Sequence, residues 1–243
     1  MTSGNGTYEA VNHPNVIDWP ATASPAGNRF LPIEELRLEP VLRRLASRLP
    51  RAKNVLAAAE FVGPNGIADF LAVTGFERSL SERIAANVPP ILRASELAVL
   101  TSIPVNRTIL AATISGHLGF TLRQVNDALR ALLEKGAVGR YGQGFRRHPA
   151  LRPIGRTYAL EAKVSDWRRA TSQALRYLTW ADAAGIVLLR APRHLDDARA
   201  RLGHLGIGLA IESTWVVRPR LRPNRTALRL QASEMLLDAA WAE

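Results

Sequence analysis

Apolar residues recur along this chain at two spacings, one helical and one strand-like, and the switches between them divide it into segments. In IEELRLEPVLRRLASRL (33–49), Leu36, Leu42, Leu45 and Leu49 fall at helical intervals, and Pro40 marks a kink or a fresh start. Two short apolar runs follow, NVLAAAEFV (54–62) and IADFLAVTG (67–75). The GPNG between them makes the pair read as a β-hairpin. The pattern is then helical through RASELAVLTSI (93–103), NRTILAATISGHLG (106–119) and TLRQVNDALRALLEKG (121–136). Strand signals return in GRTYALEAKV (155–164), GIVLLRAP (185–192), GIGLAIES (206–213) and TWVVRP (214–219). Helical stretches are predicted at 165–183, near 193–203 and at 226–242, with Ser165 as the cap of the first. Strands alternating with helices predict an α/β sheet packed between helices.

The middle of the chain has a pattern of its own. Three helices, the third opened by Thr121 as N-cap, run into the short β-like pieces of AVGRYGQGFRRHPALRP (137–153). That is the layout of a winged helix-turn-helix. In the third helix Val125, Leu129, Leu132 and Leu133 form the expected buried stripe, which leaves Arg123, Gln124, Asn126 and Arg130 outside it. The wing would carry Arg140, Arg146 and Arg147.

Composition sharpens this picture. The formal charge of +11 points to an anionic partner, with nucleic acid first and an acidic membrane surface second. The excess of basic over acidic residues is carried by residues 76–152 (eleven against five) and 153–243 (fourteen against nine), while 1–75 balance at seven each. Arg218, Arg220, Arg222, Arg225 and Arg229 form a further basic run that would touch phosphates or stand as a solvated loop. With no cysteine there can be no disulfide, thiolate metal site or cysteine nucleophile. The five histidines share no ligand spacing, and GPNG and GHLGIG lack the Lys-Ser/Thr of a phosphate-binding loop. No apolar stretch is long enough to span a bilayer, and the N-terminus lacks a signal peptide's basic start and apolar middle, so a cytoplasmic location is expected. Residues 1–30, rich in Gly, Asn, Pro, Ser and Thr, read as a poorly ordered arm.

Only three of the 32 basic residues are lysines (Lys53, Lys135 and Lys163), and one sits two positions after Glu161 in a predicted strand. Alternation puts Tyr158, Leu160, Ala162 and Val164 on one face and Glu161 with Lys163 on the other. Most such E-x-K triplets are solvated ion pairs on an exposed face. The same pair also suits phosphodiester hydrolysis, in which a carboxylate holds a hard cation and a lysine orients water or meets charge developing on phosphorus. Arginine fits that task less well, because its fork stays protonated and demands planar acceptors. A second carboxylate is needed, and Asp69 is an acid inside an apolar strand run. Gln173 and Tyr177, four apart on a helix, share a face that could meet the site.

Asp69, then Glu161-Ala-Lys163, then Gln173-x-x-x-Tyr177 resembles the PD-(D/E)XK nuclease superfamily, whose fold is restriction-endonuclease-like; the Gln and Tyr look like the motif of its RecB-type exonuclease branch. The resemblance implies a mixed sheet flanked by helices, with Asp69 and Glu161 as Mg²⁺ or Mn²⁺ ligands. It further implies Lys163 as the lysine of the motif, with Gln173 and Tyr177 in support. Two departures stand out: Ala68 replaces the proline that precedes the first acid, and Asp69 and Glu161 are 92 positions apart. An inserted winged helix-turn-helix at 76–153 explains the second, leaving 31–75 and 154–243 as one discontinuous α/β domain. The expected function is metal-dependent cleavage of DNA. The alternative is a transcriptional regulator whose nuclease-like domain no longer cuts and serves dimerisation or ligand sensing; a protein-interaction module with incidental charge is a third reading. DNA is the expected partner and a membrane is not, with a second copy of the chain left open.

Overall fold

A computed structural model of the chain describes residues 15–20, 38–224 and 226–241. Nine strands and eight helices follow one another among these residues. They are β1 (Val16–Asp18), α1 (Glu39–Ala46), β2 (Val55–Gly63), β3 (Gly66–Thr74), α2 (Glu77–Ala85), α3 (Ala94–Ser102), α4 (Ala111–Leu118) and α5 (Leu122–Glu134). After these come β4 (Val138–Tyr141), β5 (Gly144–Arg147), β6 (Arg156–Lys163), α6 (Trp167–Tyr177), β7 (Ala183–Leu188), α7 (Leu195–Leu205), β8 (Gly208–Ile211), β9 (Thr214–Val217) and α8 (Ala227–Trp241).

The fold is α/β, with a mixed seven-stranded sheet in the order β1-β2-β3-β6-β7-β8-β9 flanked by helices. β2, β3 and β6 are an antiparallel meander, and β7 and β8 then run parallel to β6. The central strand β7, AAGIVL, is buried at every position, as an all-apolar run covered on both faces must be. On one face Leu71, Val73, Ala159, Ala184, Ile186 and Leu188 pack under Ala170, Ala174 and Tyr177 of α6, Ala198 and Leu202 of α7, and Leu236 of α8. On the other face Phe70, Ala72, Tyr158, Leu160, Ala162 and Val187 pack against Leu42, Leu45 and Ala46 of α1. Pro40 sits in the first turn of α1, so it begins that helix rather than kinking it.

Between β3 and β6, helices α3, α4 and α5 and the two-stranded sheet β4-β5 enclose a separate core. It includes Ile91, Leu97, Leu100, Ile114, Val125, Leu129, Leu132, Val138 and Leu151, joined by Leu230 of α8. Thr121 caps α5 with a full capping box: its hydroxyl accepts from the Gln124 N–H, and the Gln124 side chain accepts from the Thr121 N–H at 2.8 Å. Ile109 bridges Phe145 on β5 through two backbone hydrogen bonds of 2.9 and 3.0 Å.

Several sequence expectations are corrected. The helix expected over 106–119 is shortened to Ala111–Leu118, because Ile109 is taken by β5 as a strand partner. Leu133, expected in the buried stripe, is 36% exposed, and Ala128 is buried in its place; the helical period at 133 turns outward. α2 had no counterpart in the periodicity, and it packs Leu80 against the α/β core rather than against the helical segment. The cap of α6 is Asp166, whose carboxylate accepts from the Arg169 N–H at 3.0 Å, not Ser165. Within the stretch expected to be a poorly ordered arm, Val16–Asp18 pair in parallel with β2, and the remainder of residues 1–30 (1–14 and 21–30) falls outside the described residues.

Two buried ion pairs tie α8 to the rest. Arg229, 1% exposed, meets Asp182 at 3.0 Å and donates to the carbonyls of Ile154 and Gly155, while Asp182 also accepts from the Thr157 and Asn224 N–H groups. Arg229 is therefore a structural cation, withdrawn from the basic run predicted for the surface. Glu234, also 1% exposed, accepts from Arg83 of α2 at 2.8 Å and from the Ile91 N–H at 3.0 Å. Burial pushes the Glu234 carboxyl above its ordinary range, against the pull of Arg83. Removing one partner of such a pair strands the other in a low dielectric. Asp182→Ala should therefore lower the unfolding free energy by about 3–5 kcal/mol, measured by urea denaturation.

Candidate active site

Register brings the candidate acids together. β3 and β6 pair antiparallel through Phe70↔Leu160, and the same register carried one residue further sets Asp69 opposite Glu161. The ladder bond expected beyond Leu160 is replaced: the Ala162 N–H donates to Asp69 Oδ2 at 2.7 Å. Lys163 then reaches both acids, with Nζ 2.7 Å from Glu161 Oε1 and 3.7 Å from Asp69 Oδ2, and it donates to the Ala162 carbonyl at 2.9 Å. From α6, the Tyr177 hydroxyl lies 2.6 Å from Glu161 Oε2 and 2.5 Å from the Ile67 carbonyl. Four of the five predicted site residues thus form one cluster: Asp69, Glu161, Lys163 and Tyr177.

The face carrying Glu161 and Lys163 is not a solvated strand face. The Glu161 side chain is 0% exposed, Lys163 15% and Asp69 25%, so the cluster opens to solvent on the Asp69 side. Burial is the main cause that raises the Glu161 carboxyl above its ordinary range, and the nearby Asp69 adds to it, while Lys163 and Tyr177 oppose. The Tyr177 hydroxyl is pushed well above its ordinary value by burial and by the Glu161 charge. One phenolic hydrogen cannot serve two acceptors at full strength. With Glu161 protonated, its own hydrogen goes to Tyr177, and Tyr177 donates to Ile67; both short contacts are then satisfied.

Gln173 is not drawn into this network. It is half-buried on α6, and its side-chain oxygen is buried without a hydrogen-bond partner. Glu60 is a further acid on the β2–β3 hairpin. The β2–β3 register on either side of it (Ala59↔Phe70 and Phe61↔Ala68) places it across from Asp69, and its φ of +47° is a left-handed conformation unusual for glutamate. In the sequence it is an acid inside NVLAAAEFV just as Asp69 is inside IADFLAVTG.

Could the cluster hold a cation? Two carboxylates and the Ala162 carbonyl offer hard oxygen donors of the kind Mg²⁺ and Mn²⁺ take, and Glu161 Oε1 accepts no well-formed hydrogen bond, only the facing ammonium. The Lys163 ammonium lies between the two carboxylates. Among the described residues no group of three or more acidic or histidine side chains converges on a metal position. The donors fit an ion that keeps most of its water, held by Asp69 and Glu161.

The predicted DNA-contacting residues fall into two sets. Arg123, Gln124, Asn126 and Arg130 are exposed on α5, with Gln124 engaged in the capping box and Arg130 3.6 Å from Asp127. On the hairpin, Arg140 is exposed and Arg146 lies 4.1 Å over the Tyr141 ring. Arg147 turns inward. It lines a cleft of about 260 Å³ with Pro153, Thr226 and Leu230, and burial lowers its guanidinium pKa. No known protein family matches the chain, and neither does any curated protein or solved structure.

The Glu161 shift has a sign that can be checked. Its folded-state pKa lies above the unfolded value, so the folded chain binds the proton more tightly, and this contribution to stability is lost as pH rises from about 4.3 through the folded pKa. Unfolding free energies of wild type and Glu161→Gln, measured across pH 4 to 8, should diverge, with the glutamine variant gaining relative to wild type as pH rises. Parallel curves would mean that Glu161 titrates normally.

Proposed function

We propose that the protein is a metal-dependent DNA nuclease with a restriction-endonuclease-like core and an inserted winged helix-turn-helix. The observation that carries this reading is the cluster of Asp69, Glu161 and Lys163 across adjacent antiparallel strands, withdrawn from water at Glu161 and open at Asp69. An ion pair made for surface solubility has no reason to be buried beneath a helix and buttressed by a tyrosine. The strand order supports the reading as well: an antiparallel meander β2-β3-β6, a helix, then β7 parallel to β6.

A Mg²⁺ or Mn²⁺ ion held by Asp69 and Glu161 would supply Lewis acidity at the phosphate and an acidified water. The chain's own residues do the rest. Lys163 would hold the attacking water and meet the charge developing on the phosphate oxygens. Tyr177 fixes the rotamer of Glu161 from the buried side, and the Ala162 N–H fixes Asp69. Duplex DNA is gripped separately, through exposed α5 residues Arg123, Asn126 and Arg130 and the hairpin residues Arg140 and Arg146, with phosphate contacts providing most of the affinity.

The test is cleavage of plasmid and linear DNA with Mg²⁺ or Mn²⁺. Lys163→Ala should slow cleavage by on the order of a hundredfold or more while DNA binding in EDTA is kept. Salt-sensitive binding with no cleavage under either metal would instead favour a DNA-binding regulator. Tyr177→Phe should reduce the rate less than Lys163→Ala does, because Tyr177 positions Glu161 and does not touch substrate; a larger loss would contradict that role.

A further inference from the structure

A basic trough lies beside the proposed cleavage site, with Trp167 of its wall also packed against the core. It has a volume of about 370 Å³ and is formed where β6 and β7 end, between the first turns of α6 and α7. Its wall includes Asp166, Trp167, Arg168, Arg190, Arg193 and His194. The backbone ties it to the site: Leu189 N–H donates to the Lys163 carbonyl at 3.1 Å and Arg190 N–H to the Val164 carbonyl at 2.9 Å, and the wall begins at Ser165, two residues past Lys163. The carboxyl ends of parallel strands are where α/β sheets leave a crevice for ligands.

Its chemistry points to phosphate. Among the described lining residues are Arg168, Arg190 and Arg193 and one carboxylate, Asp166, which is already engaged in capping α6; Asp196 and Asp197 follow in the first turn of α7. Arg168 and Arg193 are exposed and make no ion pair with the described residues. His194 is the N-cap of the eleven-residue helix α7 and supplies no side-chain cap, so the opening N–H groups of α7 remain for an anion. Half-buried Trp167, with the Arg168 guanidinium 5.5 Å from its ring centre, adds an aromatic surface. Arginines tracking a backbone beside an aromatic ring is the combination that binds unpaired strands, where bases are free to stack. At about 370 Å³ the trough is nucleotide-sized.

We infer that this trough binds single-stranded nucleic acid and leads it to the Asp69–Glu161–Lys163 cluster, so that the substrate is DNA with an unpaired segment. The inference rests on the nuclease reading for the second half of that statement only. The test is fluorescence anisotropy in EDTA, with a labelled oligo-dT and a labelled hairpin duplex, for wild type, Arg168→Ala/Arg193→Ala and Trp167→Phe. The double variant should lose on the order of tenfold in oligo-dT affinity, and its salt slope should fall by about 1.4, roughly 0.7 for each lost phosphate contact, with duplex affinity changed less than about twofold. Trp167→Phe should keep the fold while lowering the fluorescence quenching that oligo-dT causes. Unchanged oligo-dT binding in the double variant, or equal losses for both DNAs, would overturn the trough. Cleavage is scored separately. A protein that binds oligo-dT through these arginines yet never cuts overturns the nuclease reading alone, and one that cuts with the trough removed and oligo-dT affinity unchanged overturns the trough alone.

Discussion

A glutamate side chain withdrawn entirely from water imposes a condition on everything around it. Left alone, an ionised Glu161 would cost several kcal/mol, so its neighbours must hold it or it must take a proton. Two elements answer that demand. β6 supplies Lys163 two residues on and α6 supplies Tyr177 from above, while β3 sets Asp69 on the adjoining strand as a second carboxylate that favours the protonated form of Glu161. Asp69 meets Glu161 only if β3 and β6 pair in the observed register, and Tyr177 only if α6 lies over them. Slipping that register by one residue would turn Glu161 to the opposite face, among Phe70, Tyr158 and Leu160.

This arrangement also gives the middle of the chain its place. β3 and β6 are neighbours in the sheet although four helices and a hairpin intervene between them, α3, α4, α5 and the hairpin with a core of their own. α8 holds the two parts in contact, since Leu230 enters the core of the helical segment while Arg229 and Glu234 on the same helix are locked to Asp182 and Arg83. The buried polar groups are thus divided between two tasks. Asp182–Arg229 and Arg83–Glu234 are closed networks that fasten elements, whereas Glu161–Lys163–Asp69 is open at one side and strained in its proton count. That difference separates a structural ion pair from a candidate reactive one.

Much of this was legible in the residues. Alternation separated Glu161 and Lys163 from the apolar face, an acid in an apolar strand singled out Asp69, and helical spacing found Tyr177. What the sequence could not reveal was depth. Arg147, Arg229 and Glu161 look alike as surface charges until packing shows a half-buried cleft lining, a buried tie and a sequestered carboxylate. Short elements escaped for a similar reason: α2 has too few apolar positions to show a period, and Ile109 belongs to a strand pair only because Phe145 is there to meet it. The trough residues Trp167, Arg168, Arg190, Arg193 and His194 lie in two separate stretches of the sequence, and only the parallel pairing of β6 and β7 collects them.

Whether Asp69 and Glu161 form one cation site is the point on which the chemistry turns, and Mn²⁺ titration by isothermal calorimetry measures it directly. The expected result is a single site in the wild type that is lost in both Asp69→Asn and Glu161→Gln, and tighter Mn²⁺ binding in Lys163→Ala, where the ammonium no longer stands between the two carboxylates. Failure of the wild type to bind, or binding indifferent to either acid, would contradict the two-carboxylate site.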